Sequence, residues 1–263
     1  MAASRMCNDD GDPFDQIVKL AADLNLTSLT ADEIQKLLEH AERSQLSYSD
    51  LALELLRLEA RARKDRRLNR NLKRSKLGSV ADRLDDFDFA CRPKLQPRIV
   101  RELLNCRWVF EARNVICVGR PGLGKTRVLK ALGRAACEQD CTVAYVITAQ
   151  LLDDLQAALA DGSYARTFRR YQRTDVLILD EFAYEPLDHR ATQHLFRIVS
   201  ARHGLAATVL AANTGFSKWS SLFPSEAQAV ATVDRLIDNA SILHFTGKSF
   251  RKPKDGSIDE LDD

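Results

Sequence analysis

The chain of 263 residues is poor in the residues that break structure, with seven Pro and eleven Gly. It also lacks any run near the roughly 18 apolar residues that a spanning helix needs. Collagen-like, low-complexity and helical membrane classes are thereby excluded. No internal repeat is visible, so solenoids and propellers fall away as well. The six cysteines (Cys7, Cys91, Cys106, Cys117, Cys137, Cys141) form no CxxC pair, and Cys137 and Cys141 have no histidine in a zinc-finger rhythm. Reduced, mostly buried thiols are expected. The segment Met1–Gly11 has no apolar core and carries acids where an export signal carries bases, so a cytoplasmic location without membrane contact is expected.

What is present is an ordinary globular composition, 45% hydrophobic and 29% charged. The length suits a core domain of roughly 150–200 residues with a smaller appendage. A net charge of +2 conceals a strong segregation. Residues 1–56 hold four Lys/Arg against eleven Asp/Glu, whereas from Arg57 to Lys76 ten bases face only Glu59 and Asp65, a net +8 in twenty positions. Solvated helices usually interleave acids and bases at i,i+4. This stretch almost lacks acids, and a local polycation of this kind suits a nucleic-acid backbone, whose condensed counterions are released on contact. Arg61, Arg63, Lys64, Arg66, Arg67, Arg70, Lys73, Arg74 and Lys76 are the candidate DNA contacts.

Between Phe14 and Leu77 the apolar residues recur at helical spacing: Ile17, Leu20, Ala21, Leu24; Ile34, Leu37, Leu38, Ala41; Leu51, Leu55, Leu58, Ala62. Residues 1–77 therefore read as a small all-α domain, with Thr30 and Asp50 as N-caps and Glu33 completing a capping box with Thr30. Gly78, Pro93 and Pro97 punctuate a connecting strap, 78–113. From Asn114 the pattern changes to short β-rich runs, at 115–118, 143–147, 176–179, 208–211 and 242–245. Helical stretches alternate with them at 126–138, 150–160, 188–203 and 224–238. Continuous apolar strands separated by helices specify an α/β fold, a parallel sheet covered on both faces, over residues 114–250. An acidic tail, 251–263, follows.

The first strand ends in Gly119-Arg120-Pro121-Gly122-Leu123-Gly124-Lys125-Thr126, a complete GxxxxGK[ST] between strand and helix. Such a loop turns successive N–H groups and a helix N-terminus toward phosphates. Lys125 would neutralise the β/γ-phosphates and the Thr126 hydroxyl would ligate Mg²⁺. The third strand ends in Asp180-Glu181. Asp180 is suited to the Mg²⁺ shell, and Glu181 to orienting or deprotonating a water that attacks the γ-phosphate.

A GTPase would carry DxxG after this strand and NKxD later, but here stand Asp180-Glu-Phe-Ala183 and Asn213-Thr-Gly-Phe216. If the 208–211 strand neighbours that of Asp180, the Asn213 amide can also position the water. Phosphoryl transfer gains from an arginine on the γ-phosphate. Arg235 is the candidate, acting in trans if it projects from the subunit surface; a salt bridge with Asp234 or Asp238 is the alternative.

Together these features resemble the AAA+ ATPases of the DnaC/IstB class, and within it the IstB-like helpers of insertion-sequence transposition, from about Phe14 to Arg251. The likeness rests on Leu46-Ser-Tyr48, the basic stretch, Phe87-Asp-Phe89 and Gly119–Thr126. It continues in Leu177-Ile-Leu-Asp-Glu181 with Tyr184 and Pro186-Leu-Asp188, Asn213, Phe216 with Trp219, Asp234-Arg-Leu236 and Gly247-Lys-Ser-Phe-Arg251.

The resemblance implies a P-loop NTPase with ATP and Mg²⁺ as cofactors. It also implies ATP-dependent self-assembly on duplex DNA and recruitment of a transposase, with Lys125, Thr126, Asp180, Glu181, Asn213 and Arg235 at the Walker A, Walker B, sensor 1 and arginine-finger positions. Departures from the family pattern are Arg120 for Pro, Arg127 for His and Ala183 for Gly. Only eighteen residues follow Phe245, too few for the lid that carries a sensor 2 arginine in larger relatives; Arg251 substitutes or the role is empty. Other readings are a helicase loader of the DnaC type, a metabolite kinase and a non-hydrolysing DNA scaffold.

Overall fold

A computed structural model of the chain describes residues 12–78, 84–182 and 184–249. Cys7, Ala183, Arg251 and the tail 251–263 lie outside the described residues. The chain divides into two compact units, the first ending at Asn69 and the second beginning at Arg70.

The first unit is all α: α1 (Pro13–Asp23), α2 (Ala31–Ser44) and most of α3 (Tyr48–Ser75). Thr30 caps α2 as expected, its hydroxyl accepting the Glu33 N–H at 3.3 Å. At α3 the expected cap, Asp50, is corrected to Ser47. Tyr48 opens the helix, the Ser47 hydroxyl accepts the Asp50 N–H at 3.2 Å, and Asp50 returns the contact by accepting from that hydroxyl at 2.6 Å. The acid thus stands in the first turn, where the helix dipole favours it.

The basic stretch lies on α3, a helix of 28 residues and so about 42 Å long, with Lys76 just beyond its end. Its Glu59 is buried and holds the unit together. The Ser28 N–H and hydroxyl donate to one carboxylate oxygen at 3.1 and 2.5 Å, and Arg63 and Arg66 reach the other at 2.6 and 2.8 Å. Two of the candidate DNA contacts therefore also serve the fold, although their side chains stay 57% and 46% exposed.

The second unit is a five-stranded, fully parallel sheet in the order β2-β3-β4-β1-β5. Its strands are β1 (Asn114–Gly119), β2 (Val143–Ile147), β3 (Val176–Phe182), β4 (Ala207–Ala212) and β5 (Ala240–Phe245). The helices that cross between them are α6 (Lys125–Glu138), α7 (Thr148–Ala160), α8 (Tyr164–Arg173), α9 (His189–Arg202) and α10 (Glu226–Ile237). The buried runs 115–118, 176–179 and 209–212 of β1, β3 and β4 are aliphatic apart from Cys117, as strands covered on both faces require.

The helix α8 lies where no element was expected. Its apolar signal is only Tyr164, Phe168 and Tyr171 among arginines; the first two stack at 5.8 Å and Arg197 of α9 covers both rings. The expected strap also contains structure: α4 (Pro97–Leu104) opens on Pro97 at its first turn, and α5 (Arg107–Phe110) follows. Val100, Leu103, Trp108 and Val109 of these helices are buried.

Buried Arg202 closes the opposite end of the sheet, donating to the carbonyls of Tyr171, Gln172, Thr174, Asp175 and Ala207. All five described cysteines are unpaired, four of them buried. Burial pushes the Cys106 and Cys137 thiols up to about 12, so they stay as inert thiols.

The Ser28 hydroxyl first, then Arg63 and Arg66 acting against burial, lower Glu59 from its ordinary 4.5 to about 2. A depressed folded value means the stabilisation is complete above pH 4.5 and is lost as the pH falls toward 2. Glu59→Gln should cost the helical unit about 2 kcal/mol at pH 7 and flatten the acid limb of a circular-dichroism melt series between those values; an unchanged limb would remove Glu59 from the network.

Candidate functional site

The order β1-β4-β3 brings three strand ends side by side at the carboxyl edge of the sheet, where ligands of parallel α/β folds bind. The loop after β1 carries Gly119–Thr126, β3 carries Asp180-Glu181 and β4 leads directly to Asn213. Lys125, Thr126, Asp180, Glu181 and Asn213 line one cavity of about 770 Å³, with Pro121–Gly124 and Arg127 in its wall. The neighbouring strands anticipated for Asp180 and Asn213 are hydrogen-bonded in parallel. Arg120 is exposed, and with Gly119 it lines an adjoining hollow that shares Asn213.

Local backbone explains each placement. Gly122 and Gly124 take the left-handed region at φ +78° and +90°, which curls the loop so that α6 starts at Lys125 with the N–H groups of its first turn toward the cavity. The Lys125 ammonium, largely buried, donates back to the carbonyls of Gly119 at 2.5 Å and Arg120 at 2.8 Å. Gly119 itself presses on β5: a Cβ there would collide with the Phe245 carbonyl.

In a regular strand Asp180 and Glu181 would point to opposite faces. Here β3 bulges, because Leu179 pairs with Leu210 but Phe182 pairs with Ala212, leaving two β3 residues opposite Ala211. Glu181 absorbs the change at φ +53°, and both carboxylates reach the cavity, a re-aiming that bulges produce. Asp180 is buried, with one oxygen accepting the Glu181 N–H at 2.9 Å and the other the Tyr145 hydroxyl at 2.8 Å; Glu181 is exposed.

Beyond β4, buried Trp219 packs on Phe182 and Phe216 at ring distances of 4.8 and 4.7 Å and donates to the Thr214 carbonyl. It thereby seats the Asn213 loop beneath the end of β3.

Several contributors escaped sequence reasoning. Asp86 and Asp88 of the strap and Lys130 and Tyr184 also line the cavity, and Asp86 pairs with Arg127. Buried Arg92 donates to the Leu123 carbonyl in the phosphate loop at 2.9 Å and to the Lys248 carbonyl beyond β5 at 2.7 Å. It sets a fixed positive charge behind the loop and ties three segments together. Asp88 and Tyr184 stand in the motifs that carry the family resemblance, and Tyr145 left a trace as a phenol in an otherwise aliphatic strand.

Arg235 does not join the cavity. Its carbonyl and that of Leu236 accept from Asn114, the first residue of β1, whereas the phosphate loop follows the last; the strand between spans about 17 Å. The guanidinium lies 5.0 Å from the Phe196 ring and donates to the Ala231 carbonyl. Of the basic stretch, all nine candidate contacts are exposed.

Sheet order, phosphate loop and paired carboxylates define an ATP-binding protein of the P-loop NTPase class. A family model described as IstB-like ATP binding protein matches residues 19–257, and the chain belongs to that family. It is similar to a Pseudomonas aeruginosa protein named for ATP binding in insertion sequence IS21, with 32% identity over 218 residues, 83% of this chain and 82% of that one. A counterpart named for insertion sequence IS5376 in Geobacillus stearothermophilus is 28% identical over 221 residues, 84% and 88% of the two chains.

Among solved structures, the DnaC helicase loader superposes with a TM-score of 0.56 at 18% identity, over 64% of this chain and 98% of that one. AMPPCP-bound DnaA from Aquifex aeolicus gives 0.53 at 20%, over 64% and 50%. At these identities the likeness is one of fold. Among the described residues, no helix is long and apolar enough to cross a membrane.

Gly119→Ala should destabilise the second unit by about 1–3 kcal/mol, as overpacking does, and weaken ATP binding at least tenfold, because loop and β5 must separate. A melting temperature and nucleotide affinity equal to wild type would show that the approach to Phe245 is not limiting.

Proposed function

We propose that the chain is an ATP-switched DNA-assembly protein of an insertion sequence: ATP binding builds an oligomer on duplex DNA that assists a transposase in target selection, and hydrolysis to ADP and phosphate dissolves it. The observation that carries this reading is the gathering of Lys125, Thr126, Asp180, Glu181 and Asn213 in one cavity while Arg235 stands at the far end of the sheet. The site so composed has a water-directing carboxylate; of the arginines described, Arg127 lines it but is paired with Asp86, and Arg235 is not among its lining residues.

In this mechanism the phosphate chain lies along the N-terminus of α6, and Lys125 exchanges its two loop carbonyls for β/γ-phosphate oxygens. The donor set suits Mg²⁺. The Thr126 hydroxyl and Asp180 carboxylate are hard oxygens, and no cluster of three His, Cys, Asp or Glu competes among the described residues; two protein oxygens plus phosphates are a usual magnesium environment. The ion would neutralise charge building on the transferred phosphoryl group. Glu181 accepts a proton from the attacking water while Asn213 holds that water in line, and Arg235 of a neighbouring copy reaches the γ-phosphate.

Exposed bases along α3, among them Arg61, Lys64, Arg70, Lys73 and Arg74, and Lys76 just after it, contact DNA phosphates without reading sequence. The insertion-sequence relatives support the transposition reading over that of a helicase loader. The loader reading predicts preference for single strands and a stable helicase complex.

Particle size and affinity on a duplex of about fifty base pairs, with ATP, ADP or no nucleotide, test the proposal. Growth of a large duplex complex only with ATP is expected; single-strand preference would move the assignment to the loader, and indifference to nucleotide to a scaffold.

Lys125→Ala should abolish nucleotide binding and assembly, whereas Glu181→Gln should trap the ATP-bound complex; equal assembly by both would contradict the switch. Charge reversal at Arg67, Arg70 and Lys73 should weaken DNA binding uniformly across sequences and flatten its salt slope, by about one unit per lost phosphate contact. Lys125→Ala and Arg235→Ala, each inactive alone, should regain part of the hydrolysis rate when mixed, because an intact site then faces an intact arginine; no recovery would place the arginine elsewhere.

A further inference from the structure

We infer that Tyr145 is a positioning residue for the metal side of the nucleotide site, fixing the Asp180 carboxylate in the orientation that receives Mg²⁺. The inference rests on the ATP and Mg²⁺ reading above and deepens it.

Asp180 is 4% exposed and is held at three atoms. One carboxylate oxygen accepts the N–H of the next residue, Glu181, and so follows the strained backbone of the bulge. The other accepts the Tyr145 hydroxyl at 2.8 Å. The Asp180 carbonyl accepts the Thr148 hydroxyl at 2.8 Å, from the first residue of α7. Tyr145 therefore supplies a bond to the carboxylate from outside its own dipeptide, on a neighbouring strand.

The register explains why that residue can do so. On β2, Ile147 pairs with Asp180 and Tyr145 with Ile178. Tyr145 and Ile147 share a face of the sheet, so a phenol two residues back from the pairing partner is long enough to reach diagonally to the carboxylate. The ring is steadied from above by the Lys130 ammonium, 5.2 Å from its centroid, and Lys130 lines the same cavity.

A carboxylate bulged out of its strand has more than one rotamer open to it, and its neighbour Glu181 sits in a backbone region that costs energy. A hydroxyl donor on one oxygen removes that freedom. Each Asp180 oxygen keeps a further lone pair for the ion, and Thr126 lines the same cavity. Partners that orient ligating carboxylates typically cost 10–100-fold in metal affinity when removed.

The probe is Mn²⁺, followed by electron paramagnetic resonance on the full chain loaded with AMPPCP. Tyr145→Phe deletes one oxygen and should weaken Mn²⁺ binding about tenfold, leave metal-free AMPPCP affinity within about twofold, and lower kcat more than it raises KM for ATP. Unchanged Mn²⁺ affinity would overturn the inference. A parallel fall in metal-free nucleotide affinity would overturn it too, by assigning Tyr145 to general support of the fold.

If Tyr145→Phe does not fold, 3-fluorotyrosine at position 145 keeps ring and hydroxyl. Its ¹⁹F resonance should then shift when Mg²⁺ is added to the AMPPCP complex, and a static resonance would overturn the inference. Wild-type protein that binds no AMPPCP·Mn²⁺ would instead sink the ATPase reading itself, a result visible before any variant is compared.

Discussion

Everything at the nucleotide site depends on β4 lying between β1 and β3. Parallel strands present their carboxyl ends at one edge, and the intervening strand decides which loops meet there. With β4 in the middle, the phosphate loop, the acidic pair and Asn213 are neighbours although they are separated by more than fifty residues at the first step and about thirty at the second. Had β3 paired directly with β1, the amide of Asn213 would stand outside the acids, on the side away from the phosphate loop. The short approach of Gly119 to Phe245 fixes the other flank, so the loop is braced by β5 as well as by Arg92.

Most of this architecture was legible because its signals are local. Aliphatic runs of four to six residues mark buried strands, and GxxxxGK[ST] between strand and helix names its own geometry. What could not be read is nonlocal or compensatory. Nothing around Arg92 announces that its guanidinium will be buried under the phosphate loop, since its three acceptor carbonyls come from distant or featureless backbone. The bulge at Asp180-Glu181 is invisible for a related reason: a run of apolar residues ending in two acids looks the same whether or not the last pair is re-aimed. α8 was hidden by composition, three aromatics being a thin stripe among arginines, and the Ser47 cap by Asp50 three residues on, which caps about as well.

The basic helix shows charge serving two ends. Counting acids and bases along α3 identifies a polycation, but it does not reveal that Glu59, one of only two acids in the stretch, turns inward and draws Arg63 and Arg66 to itself. A buried carboxylate on a cationic helix is stable only because those arginines and Ser28 satisfy it. The same arginines keep about half their surface in water, so the helix retains most of its field while anchoring its own unit.

The separation of Arg235 from the cavity gives any assembly built through it a direction. Each copy would carry a site at one end of its sheet and the arginine that completes a neighbour's site at the other, a head-to-tail contact that never pairs identical surfaces. In an open array of n copies only n − 1 sites would be complete. The unfinished one would stand at one terminus, unable to fire at full rate until another copy arrived, and an unused arginine would mark the other. Growth and loss at the two ends would then be chemically unequal, and a closed ring would abolish the difference by leaving no end at all.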